Sequence, residues 1–269
     1  MTSTIVNIDT NGATYLENSP LCTFRNDTAI SYLAPNAFQS RVYLPYPLMG
    51  CYRMFLKNVQ IPLAINNIRS TSNLNTFSVY SGKDASGNLL NNLTIILQDG
   101  YYSTITSLIN EINSLFASNY PSYNIVLSQN TTNSNYLQIN STSFSSVYVV
   151  DTNLSKMLGF SSSLNTISTN VTYANIIYRL SIDDYINIYI GNTSTNCINT
   201  TKGLCTFKVP LNSNNGVVYY FETNNSIFAT CDFSTLSYLD IYVFDKLNYS
   251  LNSMGVDFSM TLQIDALID

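Results

Sequence analysis

The chain has 269 residues and a net charge of −5 at pH 7, and only 10% of its residues are charged, well below the roughly 25% of an ordinary soluble domain. It contains no histidine, which excludes histidine-based catalytic triads, histidine-ligated zinc or haem, and imidazole pH switches. The sequence has 11 Lys and Arg against 16 Asp and Glu and no run of basic residues. It therefore also lacks the cations of a groove that binds nucleic acid directly through its phosphates.

The start of the chain and its cysteines give expectations about location. Residues 1–10 contain neither the basic nor the apolar segment of a secretory signal peptide. No run approaches the roughly 18 apolar residues of a membrane-spanning helix, so we expect no membrane span. An odd number of cysteines is more typical of reduced intracellular thiols than of a disulfide framework. Cys197 and Cys205 border a short polar loop, where free thiols fit better than a disulfide.

Most of the chain is predicted to form β strands, because short runs rich in Ile, Val, Tyr, Phe and Thr recur between clusters of Asn, Ser, Gly and Pro. Apolar and polar residues alternate strictly over residues 258–264. Asn215-Gly216, between two such runs, is typical of a hairpin turn. The predicted strands are residues 54–61, 76–80, 93–97, 123–127, 136–139, 146–150, 176–180, 185–190, 206–210, 217–221, 239–244 and 256–264.

One long helix is predicted over residues 104–117, with Ser103 as its N-terminal cap. Its apolar residues recur at helical spacing and form a single stripe, which we expect to pack against a sheet. A shorter helical turn over residues 154–158 ends at Gly159, a typical C-terminal cap. The members of the long stripe are Ile105, Leu108, Ile109, Ile112, Leu115 and Phe116.

Many short strands and one long helix predict a mainly β protein, a single jelly-roll β-sandwich with an embedded β-α-β-β-α insertion. A parallel α/β sheet would need helices between strands throughout the chain. We therefore expect the first part of the jelly roll in residues 1–92, an inserted module with the main helix in residues 93–160, and the second part of the jelly roll in residues 161–269.

The usual motifs for phosphate, dinucleotide or zinc binding and for nucleophilic hydrolysis are absent from the sequence. Asp183-Asp184 is the one adjacent pair of carboxylates and a weak candidate for a calcium site, since a solvated turn explains the pair better. Asp240 and Asp245 flank a predicted strand and are expected to face solvent or a subunit contact. We expect no catalytic residue, no metal and no cofactor.

Polarity comes from 36 Asn, 34 Ser and 27 Thr, joined by 21 Tyr. A polar but uncharged surface can meet copies of itself without like-charge repulsion, as in a shell or fibre protein. The codon bias of an AT-rich genome is a second and compatible explanation. Residues 43–47, Tyr101-Tyr102 and Tyr219-Tyr220 are candidates for a carbohydrate platform or a subunit contact, and half-buried packing within strands is the alternative.

Several short motifs follow one another in a defined order. They are residues 57–62 (KNVQIP), 65–68 (INNI) and 94–100 (TIILQDG), then Tyr102-Ser103 followed by Leu108 and Ile112-Asn113, and finally residues 156–160 (KMLGF), 236–245 and 255–264. Each motif is short, but their order and spacing resemble the minor capsid, or penton, proteins of double-jelly-roll viruses: virophages, Polinton-like elements and related large DNA viruses. The likeness covers most of the chain from about residue 54 onward.

This resemblance implies a structural virion protein without catalytic residues. It implies a single jelly roll that forms a homopentamer at the five-fold vertices of an icosahedral capsid, made in the host cell and surrounded by trimers of the major capsid protein. Other minor capsid proteins and a host receptor are further candidate partners. A five-fold ring needs heterologous contacts, in which one surface matches a different surface of its neighbour.

Two other classes of function stay open. A jelly roll can serve as a receptor-binding or carbohydrate-binding module, and the tyrosine pairs would suit that role. A hydrolase that uses carboxylates on a β-sandwich, with Asp183 as its first candidate, is the third hypothesis.

Overall fold

The computed structural model describes residues 2–10, 14–15, 38–62, 65–144, 147–160, 166–168, 171–180, 184–191, 205–212, 218–223, 228–253 and 256–266. The chain divides into two compact units. The sandwich unit consists of Met1–Ile65 and Asp183–Asp269, and the inserted unit is the intervening segment Asn66–Ile182. The inserted unit extends beyond residues 93–160 on both sides, and those domain boundaries stay a prediction.

Strands dominate the described residues, as the β-branched and aromatic runs predict. Numbered in chain order, they are β1 (Thr2–Asp9), β2 (Thr14–Tyr15), β3 (Gln39–Pro62), β4 (Thr76–Lys83), β5 (Leu89–Ile96), β6 (Ile125–Gln129), β7 (Leu137–Ser141), β8 (Tyr148–Val149), β9 (Thr166–Ser168), β10 (Val171–Tyr173), β11 (Tyr185–Ile190), β12 (Phe207–Pro210), β13 (Val218–Glu222), β14 (Phe228–Phe244) and β15 (Ser259–Ala266).

Two long strands organise the sandwich unit: β3 has 24 residues and β14 has 17. They pair antiparallel along most of their length, and the sheet order is β1-β15-β3-β14-β11-β12, with β2 and β13 also paired to β3. Register shifts between Thr230 and Phe233 and between Leu236 and Tyr238 interrupt the ladder. Such bulges bend and twist a long two-stranded ribbon, here the one that β3 and β14 form. The two halves of this ribbon can therefore contribute to both faces of one sandwich.

A single hydrophobic core fills the sandwich unit. Met54 and Leu56 of β3 point into it, as do Leu239 and Ile241 of β14, and all four side chains are fully buried. They belong to the same cluster as buried residues of β11, β12 and β15. Because apolar residues alternate with polar ones along each strand, one face of each strand lines the core and the other stays outside.

The inserted unit contains two small antiparallel sheets, β6-β7-β10-β9 and β5-β4-β8, and two α-helices, α1 (Ile105–Asn119) and α2 (Asn153–Met157). The predicted long helix is confirmed, and its apolar stripe lies in the core of this unit, with Leu115 only partly buried. The cap differs from the prediction: the side chain of Thr104, not Ser103, accepts the backbone N–H of Ser107 at 3.1 Å. None of the described helices is long and apolar enough to cross a membrane.

Some predicted strands and turns differ from the structure. Residues 176–180 are not a strand, because their backbone groups bond to Gly159, Asn135 and Met157 instead of to a ladder, and the strand lies earlier, in β10. β1, the first half of β3 and the first half of β14 were not predicted. Asn215-Gly216 lies outside the described residues, and the strands around it pair elsewhere, β12 with β11 and β13 with β3.

Candidate assembly surface

The acidic residues singled out in the sequence do not meet in the described part of the chain. Asp183 lies outside the described residues, and Asp184 is exposed, with its carboxylate 3.6 Å from the Nζ of Lys246. Among the described residues, no three Cys, Asp or Glu side chains lie close enough together to hold a metal ion. The weak calcium site at Asp183 and Asp184 and the carboxylate hydrolase therefore stay predictions, and no cluster of carboxylates among the described residues supports them.

The expectation that Asp245 faces solvent or a subunit contact is wrong. Its side chain is fully buried, and its Oδ1 accepts the backbone N–H groups of Leu247 at 2.9 Å and Tyr249 at 2.8 Å. The carboxylate closes the turn after β14, where Asn248 adopts a positive φ of 68°. A buried carboxylate of this kind is stabilised by its hydrogen bonds, and its role here is structural.

Asp240 is partly exposed and forms an ion pair, so its predicted exposure to solvent or to a subunit contact stays a prediction. Its two carboxylate oxygens accept hydrogen bonds from Nε and an Nη of Arg41, at 2.6 and 2.8 Å. The same guanidinium lies 4.1 Å above the ring of Tyr238, and that ring packs against Tyr43 at 6.0 Å. The bond to Asp240 raises the pKa of Arg41 above its ordinary value. The bidentate pair joins β3 to β14 at one end of the ribbon.

The tyrosine segment at residues 43–47 lies in the first half of β3, opposite the register shift between Leu236 and Tyr238 of β14. Tyr43 and Tyr46 are each 62% exposed, and Met49 shortly after them is 60% exposed. Large side chains this exposed mark contact surfaces when they cluster. The other two tyrosine pairs are split by strand or loop geometry: Tyr219 is buried while Tyr220 is exposed.

A cleft of about 110 Å³ lies beside this segment, and we call it the β1 cleft. One wall is residues 4–7 of β1, and the other is formed by Leu44, Pro45, Tyr46 and Leu48 of β3. Ile5 is one of the residues that line the cleft, and 55% of its surface is exposed. Both walls are made of uncharged residues, so the cleft suits an uncharged, largely apolar group.

A second exposed apolar group lies on and next to β13, which pairs with the C-terminal part of β3 in the same sheet. Val218 and Tyr220 of β13 are 68% and 51% exposed, and Phe228 at the start of β14 is also exposed. The ring of Phe228 packs on Phe55 of β3, with centroids 5.6 Å apart. We call Val218–Glu222 the β13 edge. Sequence reasoning identified this strand but gave no sign that it ends the sheet.

On the sheet between β1 and the β13 edge, Asp265 and Arg53 form an ion pair. Asp265 of β15 accepts hydrogen bonds from Ser3 at 2.6 Å, Arg53 at 2.9 Å and Gln263 at 3.1 Å. Burial by itself would raise the pKa of Asp265, but these hydrogen bonds outweigh it and hold the pKa below its ordinary value. The next row across the sheet, Ile5, Gln263, Phe55 and Phe228, is uncharged.

Two buried cysteines belong to the core and not to a reactive site. Cys51 of β3 and Cys231 of β14 are free thiols in the sandwich core. Burial raises the pKa of both, that of Cys231 to about 12, so at neutral pH they are protonated and poor nucleophiles. Cys205 is buried and Cys197 lies outside the described residues, so their redox state stays a prediction.

The described architecture defines a mainly β protein with a jelly-roll, penton-like fold, and this confirms the predicted fold class. The chain is similar to a crystal structure of the selenomethionine-labelled mavirus penton protein, with a TM-score of 0.52 and 11% sequence identity over 99% of this chain and 100% of that chain. At this identity the likeness concerns the fold alone. No family described by a sequence profile and no curated protein matches the chain.

Proposed function

We propose that the protein is a structural virion protein, the penton that forms a homopentamer at the vertices of an icosahedral capsid. The observation that carries the proposal is the likeness to the mavirus penton protein, because it spans practically the whole of both chains. A likeness confined to one sheet would be expected of many jelly rolls. The order of the sequence motifs supports the same assignment independently of the fold.

The surface of the sandwich unit supports an assembly role. Most of its exposed large side chains lie near the β1 cleft or at and next to the β13 edge, and these stretches are almost free of charge. Copies of a chain with a net charge of −5 repel one another, so contact is least costly where the surface is neutral. In this role the protein would be non-enzymatic and would contact itself and trimers of the major capsid protein.

Native mass spectrometry and negative-stain class averages of the purified chain test the proposal. We expect a complex of five copies and ring-shaped averages with five-fold symmetry. A different closed symmetry, such as a trimer, would overturn it. The result concerns the number of copies and does not depend on which surfaces they use.

A second candidate function is glycan or receptor binding on the same jelly roll, and one observation favours it. Tyr43 and Tyr46 are broadly exposed beside the ion pair of Arg41 and Asp240, and sugar rings stack on aromatic faces while their hydroxyl groups bond to charged side chains. A glycan array would show competable binding that the Tyr43→Ala variant loses. The Tyr101→Ala variant, at an exposed tyrosine of the inserted unit, serves as the control and should keep the binding.

A further inference from the structure

Part of the sandwich sheet runs in the order β1-β15-β3-β13. The strand at each end of this part has only one neighbour among the described strands. In the part of the chain that the structure describes, β1 pairs with β15 alone and β13 pairs with β3 alone. The side of each strand that faces away from the sheet therefore carries N–H and C=O groups that no described strand pairs. Such a row is a template for a strand from another chain.

Neither edge has the features that usually prevent such pairing. Proteins protect edge strands with lysine, proline, bulges or very short strands. β1 has eight residues and its only charge is Asp9, at its end, while the five residues of β13 are charged only at Glu222, again at the end. Both strands lack proline, and their registers with β15 and β3 contain no shift.

The β1 cleft adds a place for a side chain next to β1. Its walls are residues 4–7 of that strand and the apolar segment of β3 from Leu44 to Leu48. When a strand is added to a sheet edge, its main chain bonds to the edge and every second side chain enters pockets beside it. Val218 and Tyr220 lie two residues apart on β13 and both are exposed, which is the spacing that such an arrangement needs.

We propose that the β13 edge of one copy pairs with β1 of a second copy and that its exposed side chains fill the β1 cleft. The inference rests on the proposed penton function and deepens it by naming the contact. Because the two edges are different surfaces, the contact is heterologous, and repetition around a rotation axis closes a ring. The sheet then continues from one subunit to the next through these two strands.

A second copy is the occupant that the charges favour. Residues 2–8, residues 44–48 and residues 218–221 contain no charged side chain. A like-charged copy can therefore approach here without repulsion, which a chain of net charge −5 requires. A charged partner would gain nothing from such a surface, because it would lose hydration without finding a counter-charge.

Two variants, Ile5→Lys and Tyr220→Lys, test the contact one edge at a time. Each places a solvated charge on an exposed side chain, so the monomer keeps its fold. We expect each variant to shift the midpoint of assembly to at least about tenfold higher protein concentration, equivalent to about 1.4 kcal/mol. A mixture of the two restores one contact, since the first keeps the β13 edge and the second keeps β1, and should yield dimers of unlike variants in native mass spectrometry.

The matched control is Ile96→Lys, at a residue of the inserted unit that is 64% exposed and should assemble like the original chain. Hydrogen exchange gives a second measurement, in which residues 2–8 and 218–222 become protected in the ring relative to the monomer. Five-fold rings in which neither segment is protected and neither variant has an effect would overturn the edge pairing and leave the penton function standing. A chain that stays monomeric at every concentration would overturn both.

Discussion

The sandwich unit and the inserted unit each enclose an apolar core but differ in the hydrogen bonds around it. In the sandwich unit, long ladders between β3, β14 and β15 enclose one apolar core. In the inserted unit, single asparagine side chains also bond to the backbone of another segment of the unit. Asn67 bonds to both peptide groups of Tyr102, at 2.9 Å each, and Asn113 bonds to both peptide groups of Leu127, at 2.8 and 2.9 Å.

This difference explains what the sequence motifs encode. The motifs at residues 94–100, Tyr102-Ser103, Ile112-Asn113 and 156–160 lie in the inserted unit. Those at residues 57–62, 236–245 and 255–264 overlap β3, β14 and β15 of the sandwich unit. None of the motifs includes β1 or the β13 edge. The recognisable parts of the sequence therefore specify the fold, while the proposed contact surface lies in stretches that are chemically plain.

The largest effect is expected from Gly159→Ala in the inserted unit. Gly159 has a φ of 87°, its carbonyl accepts the N–H groups of Asn175 and Ile176, and an added Cβ would lie 2.0 Å from the carbonyl oxygen of Ile176. The backbone must move, because the obstacle is main chain. We expect the free energy of unfolding to fall by more than about 3 kcal/mol, measured by urea denaturation.

Gly87→Ala separates crowding from backbone strain. Gly87 has a similar φ of 84°, but an added Cβ would meet nothing within 4 Å. We expect it to cost about 1–2 kcal/mol, the price of the left-handed conformation alone. Equal losses in the two variants would show that the close approach to Ile176 has no energetic weight.

The contrast between local sequence patterns and contacts of the tertiary structure explains which features could be predicted from the sequence. The helix α1 was predictable within two residues, because six apolar residues at helical spacing are sufficient evidence. The first half of β3 was not, since Pro45 and Pro47 argue against a strand. In the structure they lie opposite the register shift between Leu236 and Tyr238, where the ladder to β14 is interrupted. Of the candidate surface, the tyrosine segment was identified from its composition. The edges were not, because an edge is defined by a missing neighbour, which is a property of the tertiary structure.

Asn113→Ala tests whether a single amide protects an edge strand of the inserted unit. The side chain bonds to the N–H and C=O of Leu127 in β6, which ends the sheet β6-β7-β10-β9. Its removal leaves both groups without that partner, and we expect a loss of about 1–3 kcal/mol with faster hydrogen exchange in β6. Asn110→Ala, at an exposed position of the same helix, should change stability by less than about 0.5 kcal/mol.

Asp265→Asn tests the charged pair of the sandwich unit through its pH dependence. The folded chain holds the pKa of Asp265 below its ordinary value, so its stabilisation is present above about pH 4, the pKa of an unfolded Asp. It is lost as the pH falls through the lower, folded-state pKa. The variant should be about 1–2 kcal/mol less stable at pH 7, and the difference should shrink towards zero in acid. A difference that is constant with pH would contradict this account.

Asp232→Asn is the matched control, because Asp232 is an exposed carboxylate of β14 in the same sheet. Its substitution should change the unfolding free energy by less than about 0.5 kcal/mol across the same pH range. A loss as large as that of Asp265→Asn would mean that general charge, and not the bonds to Ser3, Arg53 and Gln263, sets the effect.

The smallest effect on folding is expected from Ile5→Lys, although this variant and Tyr220→Lys are expected to weaken assembly most. Ile5 is 55% exposed, whereas Ile8 of the same strand is buried in the sandwich core. Under conditions where the chain is monomeric, Ile5→Lys should change the unfolding free energy by less than about 0.5 kcal/mol, while Ile8→Ala should cost about 2–5 kcal/mol. A large loss of stability in Ile5→Lys would mean that this side chain supports the fold itself. A small one would show that one strand separates the two tasks, with its buried side chains holding the sandwich and its exposed edge left for a neighbouring copy.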